Sequence, residues 1–187
     1  MYKSMKTGEA TARLEPMVGA GKKIPCIIDK AGVLKTFFNY SATTCCLVEP
    51  IIQAAMSGGK VEPEKMAELM RVAYVNAAKH GSKLVYRCGG GVPTGMGSWF
   101  GTGTGKFDPE VVFNPAKNHE RKEFATIVKK FEDQDRFGNN EIYPSDDMSI
   151  ILIFEAEEEE TINKIIKDCG QEIPNFATYF EVYVNDN

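Results

Sequence analysis

Apolar positions along the chain follow two periods, and the clearest helical one runs from Glu62 to Gly81. Met66, Leu69, Met70, Ala73 and Ala77 recur at the spacing that lines one face of a helix. Pro63 suits the first turn, where its missing N–H is no loss, and Gly81 suits the C-terminal cap. Lys79 and His80 complement the negative end of the helix dipole. Lys83 to Cys88 then reads as a short strand that runs into Gly89-Gly90-Gly91. Met148 to Phe154 is apolar at successive positions, as a central parallel strand buried on both faces must be. Ile24 to Asp29, with Ala31-Gly32 as its turn, and Phe180 to Val184 are further strands. Ile162, Ile165 and Ile166 predict a helix that opens at Glu157 to Glu160 and stops at Gly170.

The remaining stretches carry weaker signals. Val33 to Tyr40 has no clean period, because Phe37, Phe38 and Tyr40 fit neither template, and it reads as a second β element or an irregular crossing. Cys46 to Met56 has near-helical spacing, with Pro50 in its first turn and Gly58-Gly59 at its end. Asp108 to Pro115 is a turn-bounded apolar piece. Asn118 is positioned to cap a helix with Phe124, Ile127, Val128 and Phe131 on its inner face, and Asp133 to Asp147 is a polar loop. Strands alternating with helices predict a three-layer α/β fold, Rossmann-like or P-loop-like. Its mostly parallel sheet would be covered on both sides. Residues 24–187 make that single domain. Residues 1–23, with few large apolar side chains and no period, are expected to be an extended basic arm.

Composition bounds the class. A chain of 187 residues, 43% hydrophobic and 26% charged, has the balance of an ordinary globular domain and is long enough for a sizeable core. The longest apolar run, Ile150 to Phe154, is far short of the roughly 20 residues of a membrane span. Five cysteines without a C-x-x-C pair, and two histidines remote from them, argue against zinc and against a disulfide framework. Reduced thiols predict a cytoplasmic setting.

Charge changes the picture more. The net charge of −4 hides a gradient. In residues 1–24 five cations (Lys3, Lys6, Arg13, Lys22 and Lys23) face Glu9 and Glu15, a net of +3, whereas from Asp146 onward eleven acids face only Lys164 and Lys167, a net of −9. A basic arm on an acidic body suits a more acidic protein neighbour. It is too weak for nucleic acid, which needs many more phosphate-neutralising cations.

The sharpest candidate chemistry is Gly101-Thr102-Gly103-Thr104-Gly105-Lys106, part of a loop with eight glycines between residues 89 and 106. Glycine amides and a lysine can surround phosphate oxygens, so Gly101, Gly103, Gly105 and Lys106 are the candidate nucleotide-binding residues. The full pattern also needs a glycine at position 100 and a Ser or Thr at 107, and both positions hold phenylalanine. Ile150 to Glu155 and Ile27 to Asp29 look like acid-ended metal-binding strands, a form that chain exit to solvent also produces. Cys88 and His80 could be imagined as a thiol–imidazole pair, but nothing in their spacing makes them meet. Trp99 and Phe100, two large aromatics among glycines, are expected to insert into a partner or to fold back on the domain.

Several stretches together resemble a known family. They are Pro25 to Asp29 with Gly32 and Phe37-Phe38, the Glu62-to-Gly81 helix with Lys83-Leu84-Val85, Phe107 to Phe113, Met148 to Phe154, and Ile173-Pro174 to Val184. This order is similar to the degenerate dynein-AAA-like α/β module of ciliary and flagellar IQ-motif and ankyrin-repeat proteins. The resemblance implies a P-loop-like fold that has lost hydrolysis and serves as a binding part in a cilium; no cofactor is expected, and the basic arm would lie along an acidic axonemal neighbour such as a tubulin surface. Neither ankyrin repeats nor an IQ helix is present, so it does not extend to calmodulin binding. The expected protein is therefore a non-catalytic structural component. Its arm (Lys3, Lys6, Arg13, Lys22 and Lys23) and its Trp99-Phe100 pair would meet partners. An active nucleotide-binding enzyme, NTPase or kinase-like, using Gly101 to Lys106 is the alternative.

Overall fold

The computed structural model describes residues 2–12, 22–40, 44–45, 62–101, 103, 105–129, 133 and 142–186. Six strands form one sheet: β1 (Lys3–Met5), β2 (Ile24–Asp29), β3 (Thr44–Cys45), β4 (Lys83–Gly89), β5 (Ser149–Glu155) and β6 (Phe180–Asn185). Their spatial order is β1-β6-β2-β5-β4-β3, and every pairing is parallel. The helices are α1 (Thr7–Ala12), α2 (Val33–Tyr40), α3 (Pro63–His80), α4 (Pro109–Val112), α5 (Arg121–Phe124), α6 (Glu159–Glu172) and α7 (Phe176–Tyr179).

Because side chains alternate across a strand, the sheet sorts its apolar residues into two cores. On one face Ile27, Val85, Ile151, Ile153 and Tyr183 pack with Leu34 and Phe38 of α2. On the other, Cys26, Ile28, Leu84, Tyr86, Leu152 and Phe154 pack with Met66, Met70 and Tyr74 of α3 and with Ile162 and Ile165 of α6. This is the three-layer arrangement expected from the alternating strands and helices. β5 lies at the centre, between β2 and β4, as its unbroken apolar run requires. The chain leaves β2 toward one edge and β5 toward the other, so these neighbours flank the topological switch point of the sheet. Among the described residues, no helix is long and apolar enough to cross a membrane.

Helix α3 keeps both of its expected ends. Pro63 opens it, and Gly81 closes it in the left-handed region at φ 62°, its N–H directed to the carbonyls of Ala77 and Ala78. A β-carbon on Gly81 would also stand 2.7 Å from Ser145 Oγ, so the neighbouring loop fixes glycine there as firmly as the backbone does.

Five expectations need correction. Val33 to Tyr40 is helix α2, not a β element. Leu34 and Phe38 make its inner stripe, whereas Phe37 is 37% exposed and obscures the period. Gly170 does not stop α6, which continues to Glu172 before Ile173 turns extended ahead of Pro174. Asn118 caps no helix: it is buried, and its Nδ2 donates to the Val112 carbonyl (3.3 Å), while α5 starts after Glu120. Asp108 to Pro115 contains the short α4 instead of only a turn-bounded piece.

The fifth correction concerns the arm. Residues 3–12 are not an extended appendage but β1 and α1, and β1 pairs with β6 in the register Lys3↔Tyr183, Ser4↔Val184, Met5↔Asn185. Met5 is only 2% exposed and belongs to the α2-side core, which is what draws the segment onto the sheet. The domain therefore begins before residue 24. The expected helix at Cys46 to Met56, Arg13 of the arm, Phe131 and most of the Asp133-to-Asp147 loop lie outside the described residues.

Candidate functional site

The glycine loop after β4 contains a 3-10 turn, Met96–Trp99, which carries Trp99 inward. Gly97 makes this possible. Its N–H donates to Glu172 Oε2 at 2.7 Å, and a β-carbon there would lie 3.1 Å from the Glu172 carbonyl oxygen. Trp99 is 3% exposed and joins the α3/α6 core. Phe100 stacks on Phe107 with centroids 5.8 Å apart and meets the edge of Phe113 at 5.6 Å. These two aromatics fold back on their own domain, which corrects the expectation that they face a partner.

Three described amides of the loop are bonded to the chain's own carbonyls. The Gly101 N–H donates to the Phe107 carbonyl (3.1 Å), that of Lys106 to the Gly103 carbonyl (3.2 Å), and that of Gly105 to the Thr126 carbonyl. Gly103 and Lys106 are exposed, and Gly105 adopts φ +69° to close the turn. Thr102 and Thr104 lie outside the described residues. A phosphate cradle needs such amides free and converging on one point, with a helix opening directly after the lysine. Here the next helix, α4, begins at Pro109, is four residues long, and has its first turn capped by the Asp108 carboxylate, which accepts from the Glu110 N–H (2.9 Å).

Between this loop and the first turns of α3 lies a cleft of about 500 Å³, bordered by Glu64, Glu68, Trp99, Gly101, Lys106 and Lys129. An ion-pair network stands beside it. Arg71, fully buried on α3, donates from Nε and Nη2 to the two oxygens of Glu68 (2.9 and 2.7 Å). From Nη1 it donates to the Ile127 carbonyl (3.2 Å) and to Asp133 (2.5 Å). Lys129 adds a bond from Nζ to Glu68 (2.8 Å) and one from its backbone N–H to Asp133 (2.7 Å). The network ties α3 to the chain at residues 127–133 and fixes the wall of the cleft.

Arg71 holds the Glu68 carboxyl at about 2, well below its ordinary 4.5, with Lys129 adding to the effect against partial desolvation. A depressed folded-state pKa stabilises fully above the unfolded value and is lost as pH falls from about 4.5 toward 2. Glu68→Gln is therefore expected to flatten the acid limb of a Tm-against-pH profile in that window. Glu68 is 37% exposed, so solvent screening keeps the effect below about 1 kcal/mol. An acid limb identical to that of the parent would contradict this assignment.

The acids at the strand ends are held as structural groups. Asp29 is buried. Its Oδ2 accepts from the Leu34 N–H at the start of α2 (2.7 Å), and its Oδ1 accepts from Asn185 Nδ2 (2.8 Å). Only Lys30 to Gly32 separates β2 from α2, so this strand-to-helix turn is short and the chain's own carboxylate occupies its helix end. Asp29→Ala is expected to destabilise the domain by about 2 kcal/mol, from a lost cap and a stranded amide. A shifted urea midpoint at unchanged slope is the readout; a change of a few tenths would contradict it. Glu155 stands 3.8 Å from Arg87. Cys88 is buried and its thiol faces the Tyr86 carbonyl (3.9 Å), with burial pushing its pKa up. His80 is exposed at the end of α3, so the two make no catalytic pair.

Of the arm residues, Lys3 pairs with Glu181, Lys23 Nζ donates to the Ala177 carbonyl (3.1 Å), and Lys6 and Lys22 are exposed. Arg71, Glu68 and Asp133 went unread in the sequence. Glu68 and Arg71 stand three residues apart on one helix, a visible signal. Asp133 comes from a distant loop and leaves none.

Comparison with protein-family models, with curated proteins and with solved structures finds no match.

Proposed function

We propose that this chain is a non-catalytic α/β module that serves as a protein-binding part of a larger assembly. The observation that carries the reading is that the loop amides at Gly101, Gly105 and Lys106 are bonded to carbonyls of the chain itself. The carboxylate of Asp29 at the start of α2 supports it, since that is the other place where a fold of this topology could receive an anion. With Trp99 buried, partner contact moves to the exposed groups around the cleft, Lys106 foremost, and to the exposed lysines Lys6 and Lys22. The ciliary axoneme, with tubulin or another acidic axonemal subunit as neighbour, is the setting proposed from the sequence resemblance.

The nucleotide reading keeps one observation in its favour: Lys106 borders a cleft of nucleotide size. Thermal unfolding with millimolar Mg·ATP or Mg·GTP separates the two. The binding-module reading expects no rise in Tm for the parent or for Lys106→Ala. A ligand present at a hundred times its Kd would stabilise by about 2.7 kcal/mol, a shift of several degrees. Such a shift, removed by Lys106→Ala, would establish the nucleotide reading instead. Co-sedimentation with microtubules, weakened by salt and by Lys6→Glu with Lys22→Glu, is the expected sign of the axonemal setting; pelleting that ignores both would remove it.

A further inference from the structure

The outer edge of β6 is covered by three residues. Lys3, Ser4 and Met5 run parallel to Tyr183, Val184 and Asn185, and the attachment is of a distinct kind. One apolar side chain, Met5, enters the core beside Ile27, Leu34 and Phe38. Everything else is a polar clasp. Ser4 Oγ donates to Asp186 Oδ2 (2.6 Å), Asn185 Nδ2 donates to Thr7 Oγ1 (3.1 Å), and the Asp186 N–H donates to the Met5 carbonyl (3.2 Å). Lys3 pairs with Glu181, and Lys30 of the body pairs with Asp186 (2.8 Å). A basic strand thus meets an acidic edge, in keeping with the +3 and −9 ends of the chain.

Without this strand, β6 would present a row of open backbone groups beside an empty Met5 site, a template for any extended segment of matching pattern. The segment that fits is a cation, a small hydroxyl residue and an unbranched apolar residue, with Thr7 two positions on. Eleven residues, 13–23, join α1 to β2. β1 stands two strand spacings from β2, roughly 10 Å, whereas eleven residues reach up to roughly 36 Å. That contour length exceeds the lateral β1–β2 spacing and is enough to extend to a neighbouring molecule. A connection of eleven residues sets the effective concentration of the cis strand in roughly the millimolar range, which a crowded array of copies can match.

We propose that the β6 edge is a strand-acceptor groove, and that where copies of this chain are concentrated its occupant is Lys3 to Thr7 of a second copy. The exchange preserves every contact of the clasp and links copies through identical interfaces. The Lys3–Glu181 ion pair and the Ser4–Asp186 hydrogen bond fix the register of the incoming strand, and the two carboxylates of the edge disfavour acidic segments.

The test uses the full chain carrying Ser4→Cys with Asp186→Cys, oxidised with diamide at micromolar and at millimolar protein. Mixed nitrogen-14 and nitrogen-15 preparations and peptide mass spectrometry locate the links, with the parent chain as control for its own cysteines. The expected result is an intrachain 4–186 link in dilute protein. At millimolar protein, interchain 4–186 links of mixed isotope should rise about tenfold or more, without matching 4–4 or 186–186 links. Links within single chains at every concentration, or interchain links of random pairing, would overturn the proposal. Lys3→Cys with Glu181→Cys, at an exposed ion pair, gives the same readout if the first pair disturbs folding.

Discussion

Arg71→Leu is expected to destabilise the domain by about 3–5 kcal/mol, the range for breaking a buried ion pair from one side. The guanidinium is 1% exposed and donates to Glu68, Asp133 and the Ile127 carbonyl. Leucine fills part of the volume but leaves the Asp133 carboxylate, 6% exposed, without its main partner. Such a loss is a large share of the 5–15 kcal/mol that holds a typical domain together. Chemical denaturation followed by circular dichroism measures it. Arg71→Lys keeps the charge but not the planar fork that spans two carboxylates, so it should fall between the parent and the leucine variant. Joint replacement of Arg71 and Asp133 by leucine should recover part of the loss, because no orphaned charge remains. A change below about 1 kcal/mol for Arg71→Leu would contradict the reading of this residue as the tie between α3 and the 127–133 segment.

Trp99→Ala is expected to cost a similar amount, about 3–5 kcal/mol, as large aromatics do when removed from a packed core. The prediction separates two roles for the same residue. A surface anchor awaiting a partner would contribute binding and almost no stability. A core residue contributes stability first, and Trp99 is 3% exposed among the side chains of α3 and α6. It is the only tryptophan in the chain, so its emission should be blue-shifted in the folded protein and move red on unfolding. Trp99→Phe should lose less, since a ring still fills most of the site. An alanine variant as stable as the parent would return Trp99 to the surface.

The sequence made α3 legible because each signal was local: an apolar stripe, a proline inside its start and a glycine past its end. β5 was legible from an unbroken apolar run that only a central strand can bury. Helix α2 was hidden because Phe37 and Phe38 are adjacent and only Phe38 is buried, which masks the 3.6-residue period. β1 carries one buried side chain in three residues, too little for any pattern, and its attachment depends on residues 180 positions away. The glycine loop was found, but its orientation was not. What turns it inward is Glu172 on Gly97, Thr126 on Gly105 and Phe107 beneath Phe100, all contacts made by the fold. Glycine content announces that a backbone can come close to something; it does not say whether that is a phosphate or the protein itself.

The central claim is that the described loop amides at Gly101, Gly105 and Lys106 are spent on the chain's own carbonyls. Nitrogen-15 amide spectra of the loop during a titration with Mg·ATP and Mg·GTP test this most directly. The account expects the Gly101, Gly105 and Lys106 amides to be slow in hydrogen exchange and to stay in place at millimolar nucleotide. Fast-exchanging amides that move together, saturably, as nucleotide is added would contradict it.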